Sequence, residues 1–183
     1  MSQEEHTSLL GDHVITTIAE CLKRVTHARL FETERGFQGE FLANLRRADL
    51  ALPGNSIVEQ EYQKRYGHHG TKIRPDIIIH TPAPDGGNRR EGNSVVFELK
   101  RRAGRAKACQ DFAKLDTALN ELQYSFGVFV NISSCETQAA HYGGHFRDRI
   151  HFLAVRFVSD VVQLRHAFYT NGKLVENRIA ERA

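Results

Sequence analysis

Long apolar runs are missing from this 183-residue chain: the longest are a few residues, against the roughly 18 that a bilayer-spanning helix takes. No membrane partner is therefore expected. Cysteine is scarce as well. Cys21, Cys109 and Cys135 form an odd set without CxxC spacing, which argues against a disulfide framework or a thiolate zinc site and for buried thiols in a reducing compartment. The first ten residues, with Glu4, Glu5 and His6, lack the basic start and apolar core of a signal peptide, so a cytoplasmic protein is expected. No GxxxxGK[ST], GxGxxG or GxSxG occurs, which removes the usual signals of a nucleotide-driven motor, a dinucleotide enzyme and a serine hydrolase. Ten histidines come without HExxH: His68 and His69 are adjacent and point apart on an extended chain, and His141 and His145 are separated by Gly143-Gly144.

What is present is an ordinary globular composition, 40% hydrophobic and 26% charged, in a length suited to one domain over residues 1–183. Disorder and collagen-like repeats are excluded. The 25 Lys and Arg against 22 Asp and Glu give only +3, but their distribution is uneven. Between Arg89 and Lys107 seven basic residues meet two acidic ones, a local +5 that leaves −2 for the rest of the chain. One basic band on a slightly acidic body points to a polyanion bound at one place.

Asp12 is placed to cap a helix whose positions Val14, Ile18, Cys21, Leu22 and Val25 share one stripe. A second helix is predicted over about Thr33 to Arg47, where Phe37, Phe41 and Leu45 repeat every four residues. Pro53-Gly54-Asn55 then turns into a strand over Ile57 to Tyr62, and Gly67-His68-His69-Gly70 reads as another turn. Arg74 to His80 has the β-branched pattern of a buried strand with Pro75 at its entrance, Thr81 to Asn93 reads as a mobile loop, and Val95 to Lys100 is again a buried strand. Ala108, Phe112, Leu115, Leu119 and Leu122 mark a helix and Tyr124 to Ile132 a strand. Ser133 and Glu136 have capping-box spacing for a short helix, Ile150 to Val158 is a strand, and Asn171-Gly172 is a type I′ hairpin signal between Val161–Tyr169 and Lys173–Ile179.

Two of the buried strands carry charge. Asp76 interrupts one and Glu98 with Lys100 ends the other, and strand alternation puts Glu98 and Lys100 on one face with Phe97 and Leu99 on the opposite face. A buried carboxylate needs compensation from another group or a cation. Two carboxylates converging at neighbouring strand ends suit Mg²⁺, with Mn²⁺ as substitute, held by Asp76, Glu98 and the backbone carbonyl of Leu99, while Lys100 orients a water. The bland alternative is a structural ion pair between strands. Glu59 and Glu61 on the first strand are further ligand candidates, although one of them is expected to face solvent.

Pro75-Asp76 followed 22 residues later by Glu98-Leu99-Lys100 resembles the PD-(D/E)xK nuclease superfamily. The resemblance covers roughly Thr33 to Ile132. It implies an α/β, restriction-endonuclease-like αβββαβ core with a mixed sheet flanked by helices, here residues 33–132, between a helical extension (1–32) and a C-terminal helix, strand and hairpin (133–183). It also implies metal-dependent hydrolysis of DNA phosphodiesters and a glutamate on the preceding helix. The helical-face argument favours Glu34, with Glu40 at the edge of that face as the alternative. Gln110, early in the following helix, is an accessory candidate, as are polar residues there in some relatives. Arg101, Arg102, Arg105 and Lys107, extended by Lys72 and Arg74, are placed to bind phosphates flanking the scissile one. Cutting both strands calls for a homodimer, and the absence of room for a recognition domain calls for specificity from loops, the hairpin or another subunit. The other readings are a catalytically silent nucleic-acid-binding or assembly subunit, and an RNase or phage-defence effector with the same site.

Overall fold

The computed structural model describes residues 3–50, 52, 54–60, 73–84, 87–88 and 90–179, with the backbone alone for 3–12 and 179. Lys72, Glu61, His68, His69, Arg89 and the turns at Pro53 and at Gly67–Gly70 lie outside them. Among the described residues, three α-helices and seven strands follow in order: α1 (Gln3–Lys23), α2 (Glu34–Arg47), β1 (Ile57–Gln60), β2 (Ile77–His80), β3 (Asn93–Arg101), α3 (Arg105–Glu121), β4 (Phe126–Ile132), β5 (Ile150–Val158), β6 (Val161–Thr170) and β7 (Lys173–Ile179). This is a mixed α/β fold in which the expected αβββαβ order runs from α2 to β4.

All seven strands form one sheet in sequence order. β1, β2 and β3 pair antiparallel, β3, β4 and β5 parallel, and β5, β6 and β7 antiparallel. A parallel neighbour needs a crossover, and α3 supplies the one between β3 and β4. Strand alternation sorts the core into two layers. Ile77, Ile79, Val95, Phe97, Leu99, Val128 and Val130 pack under α1 and α2, while Ile78, Val96, Phe129 and Phe152 pack under Phe112, Leu115 and Leu119 of α3. On β3 the odd positions therefore face α1 and α2, and the even positions, Val96 and then Glu98, lie on the α3 side.

Thr33 caps α2, its hydroxyl accepting from the Gly36 N–H at 3.0 Å. α1 begins at Gln3, well before the expected cap at Asp12, which lies inside the helix. The expected stripe of Val14, Ile18, Cys21, Leu22 and Val25 is fully buried. Asp76 does not interrupt a strand: β2 starts at Ile77, because Pro75 has no N–H to pair and Asp76 is the first residue whose N–H reaches β3, at the Phe97 carbonyl (3.2 Å). The largest departure is at 133–149, where the expected capped helix is a crossover loop with one 3-10 turn over Ala139–His141. Ser133 is left-handed at φ 56°, and its hydroxyl donates to the Phe31 carbonyl at 2.7 Å instead of capping a helix. The Asn171-Gly172 hairpin is present, with φ values of 50° and 72° as a type I′ turn requires. Ser159-Asp160 makes a second left-handed pair joining β5 to β6.

Asn131, fully buried on β4, accepts from the Ala103 N–H (2.8 Å) and donates to the carbonyls of Ala103 (3.1 Å) and Glu136 (2.8 Å). It ties the β3–α3 turn to the crossover loop and so fixes where α3 starts over the sheet. Asn131→Ala is expected to cost on the order of 2–4 kcal/mol in chemical denaturation, since it orphans buried partners; a loss under about 0.5 kcal/mol, the scale of a surface substitution, would show the turn is held otherwise.

Candidate active site

Where β2 begins and β3 ends, four charged side chains from three separate stretches of the sequence meet. Asp76 Oδ2 accepts the Leu99 N–H at 2.7 Å, and the Asp76 carbonyl accepts from Gln38 Nε2 of α2 at 2.8 Å. The N–H and C=O of one strand residue point to the same side, so the Leu99 carbonyl also faces the Asp76 side of β3, beyond the last pair that β2 makes at Ile77↔Phe97. Glu98, only 2% exposed, bonds Lys114 Nζ of α3 at 2.9 Å. Lys100 Nζ donates to Glu34 Oε1 at 3.1 Å, and the Arg101 N–H donates to Glu34 Oε2 at 3.1 Å. Glu34, at the first turn of α2, thus grips the end of β3, while Glu40 lies half-buried six residues further along the helix.

The basic band divides. Arg101 Nε is bound to the Phe31 carbonyl at 2.9 Å and holds the strand end, whereas Arg102, Arg105, Lys107 and Arg74 are exposed. Gln110 is exposed on α3. Glu59 pairs with His80 at 2.7 Å, at the other end of β2 from Asp76, so it adds no ligand at the site. His141 and His145 are exposed, and among the described residues no set of three or more His, Cys, Asp or Glu side chains stands ready to hold a metal.

Two groups escaped the sequence reading. Asp111, 3% exposed, and Lys114 lie on the side of α3 facing Glu98, and Lys114 Nζ bonds Asp111 Oδ1 at 2.7 Å. Asp111 Oδ2 is buried without a hydrogen-bond partner. A signal was available: Asp111 falls three residues after Ala108 and four before Leu115, on the apolar stripe itself.

Burial dominates the electrostatics. It pushes the Glu98 carboxyl up to about 8, with Asp76 adding to the rise and Lys114 opposing it. Burial likewise raises Asp76, against the Leu99 N–H and with help from Glu34. Desolvation pulls the Lys100 ammonium down, but its hydrogen bond to Glu34 and the charges of Glu34, Asp111 and Asp76 outweigh it and leave Lys100 raised. The set is therefore a cluster of carboxylate oxygens, most of them buried, beside the two ammonium groups of Lys100 and Lys114.

No family model and no curated protein matches the chain. A solved structure, NucC of P. aeruginosa ATCC27853 in its cAAA-bound form, is similar to it over 97% of this chain and 84% of that one, with 12% identity and a TM-score of 0.47. That likeness is too distant to bear on chemistry. Among the described residues no helix is long and apolar enough to cross a membrane.

A carboxyl raised in the folded state binds more protons there than when unfolded, so Glu98 makes the metal-free protein lose stability as pH climbs from about 4.5 to about 8. Glu98→Gln removes that slope. In thermal or denaturant unfolding with chelator it is expected to match wild type near pH 5 and to gain on the order of 2–3 kcal/mol at pH 8; a variant no more stable at pH 8 contradicts the burial penalty.

Proposed function

We propose that the chain is a metal-dependent nuclease that hydrolyses DNA phosphodiester bonds. The observation that carries this reading is the convergence of Asp76, Glu98, Lys100 and Glu34 at one end of β2 and β3, with Glu98 buried where a structural role alone is costly. Asp76, Glu98 and the Leu99 carbonyl would hold Mg²⁺ or Mn²⁺, which when bound supplies Lewis-acid polarisation of the phosphate and a more acidic water. Glu34 fixes the Lys100 ammonium beside the carboxylates, from where it orients the attacking water and offsets phosphate charge. Arg102, Arg105 and Lys107 at the start of α3, with Arg74 before β2, contact flanking phosphates and bring no base readout. A homodimer would supply the second site that two-strand cutting needs.

One observation favours a second reading, a catalytically silent nucleic-acid-binding subunit: Asp76, Glu98 and Lys100 each already have a partner within the fold. Assays with Mg²⁺ and Mn²⁺ on single-stranded, duplex and branched DNA and on RNA separate the two. Wild type is expected to cut DNA, and Glu98→Ala and Lys100→Ala each to lose at least about 100-fold, the scale of a lost general-base or electrostatic group. Binding without cleavage of any substrate by wild type establishes the silent subunit, and cleavage of RNA alone establishes an RNase.

The exposed half of the basic band gives a separate readout. An Arg102→Ala, Arg105→Ala, Lys107→Ala triple variant is expected to weaken DNA binding across sequences and to lower the salt slope by about 2–3. An unchanged slope would remove these residues from the interface.

A further inference from the structure

We propose that Asp111 is a further carboxylate ligand of the cation site, and that Lys114 is a built-in counter-ion that occupies the cation's place and withdraws to solvent when the cation binds. The proposal rests on the metal-dependent reading above and adds to it two α3 residues that the nuclease motif does not include.

Lys114 Nζ lies 2.9 Å from Glu98 Oε2 and 2.7 Å from Asp111 Oδ1, so those oxygens are less than 5.6 Å apart with a positive charge between them. A divalent cation that takes oxygen ligands at about 2.0–2.6 Å would draw the two carboxylates together to bridge them, so the site forms only as Lys114 leaves, in keeping with no set of three ligands standing ready among the described residues. The exposures of the three groups differ in a telling way. The Glu98 and Asp111 side chains are 2% and 4% exposed, but that of Lys114 is 43% exposed. The carboxylates are locked into the packed face of the sheet and α3, whereas the ammonium enters from solvent on a flexible stem and can leave without disturbing the core.

A structural ion pair would satisfy both partners, and this one does not. Asp111 Oδ2 is buried with no hydrogen-bond partner, a costly arrangement unless another group occupies that space in the working protein. The charge count agrees. With Lys114 withdrawn, Glu34, Asp76, Glu98 and Asp111 would set four negative charges against the one positive charge of Lys100, a deficit of three when all are ionised. A divalent cation offsets most of that deficit, and hard carboxylate oxygens without sulfur or imidazole select Mg²⁺ or Mn²⁺.

Mn²⁺ binding to the full chain, followed by electron paramagnetic resonance and calorimetry beside melting curves with and without the ion, tests the assignment. Asp111→Asn is expected to bind Mn²⁺ about tenfold more weakly than wild type, and Lys114→Met about tenfold more tightly, on the scale by which ligand charge and supporting groups tune such sites. Lys114→Met should also melt lower without metal and rise further on adding Mn²⁺; folding only with Mn²⁺ would support the proposal equally. Lys114→Arg, which keeps the charge, should resemble wild type. Mn²⁺ binding by wild type with Asp111→Asn unchanged, or Lys114→Met unchanged or weaker, overturns this proposal and leaves the nuclease reading standing. Wild type that binds no Mn²⁺ overturns both.

Discussion

Glu98 sits almost wholly out of solvent in the strand around which the sheet turns from antiparallel to parallel, and the rest of the site is arranged about the cost of keeping it there. An isolated buried carboxylate is unfavourable by several kcal/mol, of order the whole stability of a small domain. Lys114 reaches it from α3 and a raised proton affinity favours its neutral form, two features that offset part of that cost, while neighbouring Asp76, held by the Leu99 N–H, adds to it. Neither feature cancels the charge of the cluster. The frustration is local, since the layers on either side are closely packed and apolar.

That packing is what makes the site rigid. β3 is bonded to β2 only as far as Phe97 but to β4 through Arg101, so the directions of Glu98 and Lys100 are set by pairing with β4, with the Asp76 carboxylate holding the Leu99 N–H at the other edge. Glu34 closes the end of the strand from α2, and Asn131 and Arg101 brace the turn into α3. The proposed chemistry would gain from such support, because positional errors of the order of an ångström weaken both cation binding and the orientation of a water.

Much of the architecture was legible from periodicity and turn chemistry. α2, β5 and the Asn171-Gly172 hairpin stand within a residue or so of where their apolar stripes and turn residues placed them, and α3 starts three residues ahead of its stripe. The crossover at 133–149 was not, because capping-box spacing is a local signal: Ser133 meets the Phe31 carbonyl only after the chain has folded, across 102 residues of sequence. Ser159-Asp160 was likewise silent, being a type I′ pair without the glycine that normally announces one. At the site, strand parity separated Glu98 and Lys100 from Phe97 and Leu99, and the helical-face argument placed Glu34 rather than Glu40 against the end of β3.

The sequence alone determined which side chains share a face, because alternation along a strand and the 3.6-residue turn of a helix are properties of the backbone. It thereby determined Glu98 with Lys100, Glu34 with Phe37 and Phe41, and the basic band beside them. Only the tertiary structure decided which faces meet. Whether Asp111 and Lys114 form an ordinary surface pair or a cation held against Glu98 depends on the docking of α3 over the even positions of β3, and that docking is the sum of many long-range contacts that no local pattern encodes. Arg101 shows the same division: in sequence it belongs to the basic band, but in the fold its guanidinium is bound to the Phe31 carbonyl ahead of α2, which leaves less of it free for a phosphate.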